Sequence, residues 1–329
     1  MTDELFDARN ALVIGNYDQV ISECGNVRAS QPKGEDLARF TLEQEHLVAC
    51  AQIGLGQYDG VTRRYHTATD PRLRALSDYA KLYAEMGKDP LRVDLNTALS
   101  PAAQEALTRL TTAAAEPKPR QLSIAILAGS ALLLVHDYGA AVVLARKWLK
   151  ELEAPNSALE AHQHIELHAL IVEGLIQLNQ IDQTGCEVAA MEKVNDEALI
   201  TLLYIGIHAL YVAQKTQQKE FYQKALDSFT DVIERTGNTV RLLNLIALSL
   251  MGLQMYDKAK RALLDALSIK SSDENTLVNL AVVSAHLESQ DDEMERYLTE
   301  ASSVGGFWGK QYAHMSDIFD MAAANHMGK

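Results

Sequence analysis

The 329-residue sequence predicts an all-α fold, a strongly curved solenoid of stacked helical hairpins closed by a C-terminal capping helix, and three observations lead there. One short phrase centred on a tyrosine recurs five times. Apolar runs at helical spacing flank each copy, so the phrase reads as the turn of a hairpin. In the second half the copies fall into a register of about 34 residues without insertion.

The elements follow in order. Gly15-Asn16-Tyr17-Asp18-Gln19-Val20 turns the first hairpin, with Ala8, Val20 and Cys24 at positions that must be small or packed and Pro32 as the stop of its second helix. Gly56-Gln57-Tyr58-Asp59-Gly60-Val61 turns the second, whose start falls near Leu42. Arg72 to Thr112 is the least regular unit, a helix through Leu73, Leu76, Tyr79, Leu82 and Tyr83, a break at Gly87-Lys88-Asp89-Pro90, then a second helix. Thr111 to Arg120, with Pro117 and Pro119, is the nearest thing to a linker. Hairpins then start near Leu122 and Ile165, the former turning at His136-Asp137-Tyr138-Gly139-Ala140-Ala141.

From Gly206 the register is tight. Glu220-Phe221-Tyr222-Gln223-Lys224-Ala225 and Gln254-Met255-Tyr256-Asp257-Lys258-Ala259 are the turns. The first helices carry Ala213, Ala247 and Ala281 at one position, and the second helices carry Phe229, Leu263 and Tyr297 at another. Small residues let the helices of a hairpin approach, and a large one fills the space between hairpins, which is the tetratricopeptide pattern. Glu293 stands where the preceding repeats have Ala225 and Ala259, so the last repeat degenerates. Ser303-Val304-Gly305-Gly306 ends it, and Phe307 to Met321 reads as the capping helix. About nine hairpin-like units result. Because each packs only on its neighbours, the chain reads as a single solenoid domain over 1–329: irregular hairpins at 1–115, regular ones at 120–303 and the cap at 304–329.

Composition narrows function. A net charge of −14 is opposed to nucleic-acid binding and to docking on an anionic membrane. No apolar run reaches the roughly 18 to 20 residues of a membrane span. The acidic start Met1-Thr2-Asp3-Glu4 lacks the basic region of a signal peptide, and Cys24, Cys50 and Cys186 form neither a disulfide framework nor a zinc pattern, so a reducing cytosol is expected. His164 and His168 share a helix face in His162-Gln163-His164-Ile165-Glu166-Leu167-His168, with Glu160 one turn earlier, but no Glu is placed to activate a metal-bound water. Solvent-facing histidines are the plainer expectation. Asp273-Glu274 and Asp291-Asp292-Glu293 read as helix starts. With no phosphate loop, nucleophile elbow or dinucleotide fingerprint, we expect no catalytic residue, cofactor, metal or small-molecule substrate.

Binding is expected on the first helices, which line the concave face of such an array. Ile126, Leu133 and Leu134 stand there in the fourth unit, Ile207, Leu210 and Tyr211 in the sixth, Leu248 and Met251 in the seventh, and Val278 and Val282 in the eighth. Arg241, Asn244, Asn275 and Asn279 are the polar exceptions, suited to hydrogen-bonding the backbone of an inserted segment. The same apolar residues also suit the core of a superhelix that closes on itself. Left open, so large an apolar groove favours an obligate partner.

Three phrases carry a resemblance. Asp3-Glu4-Leu5-Phe6-Asp7-Ala8-Arg9-Asn10-Ala11 with Ile14-Gly15-Asn16-Tyr17, then Leu242-Leu243-Asn244-Leu245, then Glu274-Asn275-Thr276-Leu277-Val278-Asn279-Leu280 with Glu295-Arg296-Tyr297-Leu298, occur in the order seen in the epsilon subunits of coatomer. The chain resembles that family from end to end. The resemblance implies a non-catalytic structural subunit of the COPI vesicle coat that binds and stabilises the C-terminal domain of the coatomer alpha subunit. It also implies work in Golgi-to-endoplasmic-reticulum retrieval and intra-Golgi transport, in the cytoplasm and on the cytosolic face of Golgi membranes and coated vesicles. Attachment there would be peripheral, through the coat. The alternative is a generic cytosolic tetratricopeptide scaffold or co-chaperone that binds another apolar segment.

Overall fold

The computed structural model describes residues 4–29, 34–88, 99–154, 164–287 and 291–327. They form seventeen helices, and among them there is no strand. The helices pair as α1 (Phe6–Ile14) with α2 (Tyr17–Asn26), α3 (Glu35–Gly54) with α4 (Tyr58–Tyr65), α5 (Pro71–Met86) with α6 (Pro101–Ala114), and α7 (Leu122–Leu134) with α8 (Tyr138–Leu152). Then come α9 (His164–Gln177) with α10 (Ile181–Asn195), next in sequence α11 (Leu199–Thr216) and α12 (Lys219–Thr236), then α13 (Val240–Gly252) with α14 (Tyr256–Ile269), α15 (Glu274–His286) with α16 (Asp291–Val304), and a final α17 (Phe307–Met327). The described residues thus hold seven hairpins within the two units, together with α11, α12 and the final α17. The all-α fold of helical hairpins predicted from the tyrosine phrases is the fold found among the described residues.

The phrases work as turns for a local reason. The first helix ends on a left-handed residue, which reverses the chain: Gly15 at φ 79°, Gly56 at 78°, His136 at 64°, Asn179 at 59° and Gln254 at 63°. Glycine takes that conformation without a Cβ penalty, whereas the side-chain-bearing residues sit there at a cost that the packed hairpin outweighs. Two residues later the second helix begins, with Tyr17, Tyr58, Tyr138 or Tyr256 as its first residue. Side-chain oxygens satisfy first-turn amides: Asp137 Oδ1 accepts from Ala140 N–H at 3.1 Å and Asp273 Oδ2 from Thr276 N–H at 3.0 Å.

The chain groups into two compact units that divide between Val212 and Ala213, inside α11. In the first, each helix from α1 to α10 packs on its neighbour in sequence, and the first helices also stack on one another, α1 on α3, α3 on α5, α5 on α7 and α7 on α9. Its interior includes Ala8, Val20, Cys24, Val61, Leu76, Leu110, Ala131 and Trp148, all within 1% of full burial. In the second unit Ala213, Ala225, Ala247, Ala259 and Ala281 are closed off, and Phe229, Leu263 and Tyr297 fill the spaces beside them. Each buried large side chain contributes about 1.5–3 kcal/mol. Glu293 replaces the small-residue contact of the last repeat with an ion pair to Lys260 at 2.8 Å, both half-buried.

Several expectations change. The linker is shorter than Thr111 to Arg120, because α6 continues through Ala114 until the prolines stop it. Its end is fastened by Trp148, whose indole N–H donates to the Ala114 carbonyl at 2.9 Å, and by Lys147, which donates to that of Ala115. The second hairpin starts earlier than Leu42, at Glu35. His168 does not face solvent: it is 5% exposed, and its Nδ1 lies 2.5 Å from Glu187 Oε1. α9 buries Leu167, Ala169, Leu170, Ile171 and Val172 around it, so no solvated face remains at that turn and a carboxylate partner satisfies the ring. Pro32, Asp89, Pro90, Glu160, His162 and Gln163 lie outside the described residues.

One rule of assembly was not read from the sequence. The tyrosine of one hairpin lies against the end of the first helix of the next, and that end must be small or flat. Tyr17 lies on Gly54 and Tyr222 on Gly252, where an added Cβ would come within 3.0 Å of the ring. Tyr256 instead stacks on the imidazole of His286, centroids 4.4 Å apart and planes 8° from parallel. The legible signal was a glycine four residues before Tyr58 and Tyr256.

Candidate partner-binding face

In the first unit the predicted face is largely consumed by the fold. Ile126 and Leu133 are partly buried against the cluster of α7, α8 and α9, and Leu134 against the one that runs from α3 to α7. Ile207 and Leu210 are partly buried. Tyr211 is 7% exposed, and its hydroxyl donates to Asn179 Oδ1 at 3.0 Å. These side chains hold hairpins together first.

Charge is gathered on the first helices of this unit. Arg9 of α1 pairs with Glu43 of α3. Glu166 of α9 is pushed up to about 7, chiefly because burial strips water from its carboxyl; Arg9 opposes the shift and Glu43 adds to it. His46 and Cys50, one turn apart on α3, sit 3.6 Å from Nε2 to Sγ. Burial lowers the imidazole to about 4 and raises the thiol to about 12, so the pair lacks the thiolate that a nucleophile needs. Cys24 is raised to about 11, by burial first and by Glu23 and Glu43 next, which makes it a packing residue.

In the second unit α13 and α15 lie side by side and present one surface. Leu248 is 39% and Val282 42% exposed, and Arg241 and Asn275 are exposed at the beginning of the two helices. Met251 and Val278 are half-buried in the core beneath. Asn244 is already spent: its Nδ2 donates to the Val240 carbonyl at 2.8 Å and to Thr276 Oγ1 at 2.7 Å, and its Oδ1 accepts from Asn279 Nδ2 at 2.8 Å. The asparagines thus form a bridge that fixes α13 to α15. A partner would meet Leu248 and Val282 as an apolar strip, with Arg241 and Asn275 at its end and the Asn244–Asn279 bridge beside it. No charge lies between the two apolar side chains, so the face suits burial and not ion pairing. Among the described residues no group of His, Cys, Asp and Glu could hold a metal ion, and no helix is long and apolar enough to cross a membrane.

The sequence profile of the coatomer epsilon subunit family matches residues 1–125 and 134–326. Coatomer subunit epsilon-1 of Arabidopsis thaliana is 26% identical over 303 residues, covering 91% of this chain and 88% of the relative. Coatomer subunit epsilon of Dictyostelium discoideum is 22% identical over 308 residues, covering 92% and 91%. Among solved structures, the APC/C hetero-tetramer Cut9-Hcn1 superposes with a TM-score of 0.59 at 13% identity. That match covers 90% of this chain but only 52% of the neighbour, and it speaks to the helical-repeat fold alone. With the hairpin array in place and the profile matched in both units, the chain belongs to the coatomer epsilon subunit family and is a subunit of the COPI coat.

Proposed function

We propose that this coat subunit is a non-catalytic stabiliser that holds the C-terminal domain of the coatomer alpha subunit, in Golgi-to-endoplasmic-reticulum and intra-Golgi transport. It works from the cytoplasm, attached to Golgi membranes and vesicles only through the coat. The observation that carries the reading is the uncharged strip of Leu248 and Val282 on a rigid helix pair, in a chain matched to the family over both units. Met251 and Val278 support the strip from below, whereas Ile126, Leu133, Leu134, Ile207, Leu210 and Tyr211 serve the packing of the first unit.

The mechanism is burial. Covering apolar surface yields about 25 cal/mol per Å², so covering the strip favours association without an ion pair. Arg241 and Asn275 orient the incoming segment at the rim. Because no ion pair is required, binding should change little between about 0.1 and 0.5 M salt.

The test is co-expression with the alpha C-terminal domain, followed by size-exclusion chromatography and titration. The wild-type chain should form a stoichiometric complex. Leu248→Asp with Val282→Asp should weaken it by at least about tenfold, or 1.4 kcal/mol, with the circular dichroism spectrum unchanged. Absence of a wild-type complex would remove the reading.

A further inference from the structure

The final helix is long and almost bare. α17 is fastened at its start only: Glu274 accepts from the N–H groups of Trp308 and Gly309 at 3.1 and 2.9 Å, Trp308 packs into the core of α13 to α16, and Tyr312 stacks on Trp308 at 4.9 Å. From Tyr312 to Ala324 every described side chain except Ala323 is exposed. Met315 is 63%, Ile318 47% and Phe319 72% exposed. A lone helix of that length is marginal in water, and its surface should be polar if water were its final environment.

The pattern of the bare surface says what fits it. Trp308, Tyr312, Met315, Phe319 and Ala322 recur at alternating spacings of four and three, the seam that packs against another helix. Gln311, Ser316, Ile318 and Ala323 flank the seam without charge, while Lys310, Asp317 and Asp320 lie on the far side. A partner chosen by charge would find nothing to read here. Tyr312, Met315, Ile318 and Phe319, with Phe307 at the edge, offer roughly 500 Å² of apolar surface, given about 150–250 Å² per aromatic side chain. That approaches the share of one partner in a standard interface, about 800 Å².

We infer that α17 is a second docking element, which pairs along its seam with an apolar-striped helix of another coat subunit. The inference rests on the proposed function for the existence of a coat partner, but uses a different surface from Leu248 and Val282. The anchored first turn holds the helix in place and presents its seam to that partner, helix against helix.

Hydrogen exchange of the chain alone, of its complex with the alpha C-terminal domain, and of the intact coat tests this, together with Met315→Glu/Phe319→Glu and the far-side control Asp317→Ala/Asp320→Ala. We expect the amides of 312–324 to exchange fast in the chain alone and slowly in the coat. The seam variant should lose at least tenfold in incorporation at unchanged urea midpoint, and the control should lose nothing. Protection in the coat without an alpha-domain complex would sustain this inference and sink the named partner. An alpha-domain complex, with 312–324 unprotected in the coat and the seam variant fully incorporated, would do the reverse. Concentration-dependent protection in the chain alone, with a dimer in sedimentation, would assign the seam to a second copy and overturn the proposal.

Discussion

Gly252→Ala should change sign with its neighbour. Gly252 closes α13, and a methyl there would fall within 3.0 Å of Tyr222 Cδ1, Cε1 and Cγ, well inside the 3.5–4.0 Å at which carbons rest. The ring must swing away from the hairpin it joins, at the overpacking cost of about 1–3 kcal/mol. Against this stands the helix preference for Ala over Gly, about 0.5–1 kcal/mol. Overpacking is the larger, so the single variant should be destabilised by about 1–2 kcal/mol. Tyr222→Ala, at a half-buried ring, should cost about 2–4 kcal/mol, less than a fully buried aromatic. In that background no ring remains to meet, and Gly252→Ala should stabilise by about 0.5–1 kcal/mol. Urea unfolding of the four proteins, followed by helical circular dichroism with slopes compared, closes the cycle. A stabilising effect in the wild type, or a coupling below about 0.5 kcal/mol, would mean that Tyr222 does not hold these hairpins together.

Gly139→Ala, at a helical glycine with nothing within 4 Å of the new methyl, should stabilise by about 0.5–1 kcal/mol in the same assay, and a loss would contradict its open setting. Ala247→Leu, at a site with no exposed surface, should cost about 1–3 kcal/mol; a melt within a degree of the parent would show that the repeat register is misplaced. Glu166 binds its proton more tightly folded than unfolded, so its contribution is complete below the ordinary carboxyl value of 4.5 and lost as pH rises through about 7. Glu166→Gln should therefore gain about 1–3 kcal/mol on the wild type between pH 5 and 8, and coincident pH profiles of the two proteins would refute the buried acid. The strip variant Leu248→Asp/Val282→Asp should keep its melting temperature to within about 2–4 °C, the shift of 1 kcal/mol, since both side chains are more than a third exposed; collapse of the fold would return them to the core.

What the sequence determined by itself was the repeat. Spacing, the tyrosine turn and the small positions act within one hairpin or between neighbours, so they are written locally: Ala213, Ala247 and Ala281 were named as packing sites and are buried. The order of the family phrases was legible for the same reason. Tertiary structure decided everything that depends on which side chains reach one another across helices. Asn244 could not be seen to spend its amide on Thr276 and Asn279, nor His168 to turn inward to Glu187, since partners 19 to 35 positions away are set by stacking. The apolar first-helix positions read alike in sequence, yet Tyr211 is closed while Leu248 and Val282 stay open. Burial depends on the neighbouring hairpin, which the residue's own type does not encode. The final helix shows the same limit: its apolar spacing was plain, and only the folded chain shows that its first turn alone is covered.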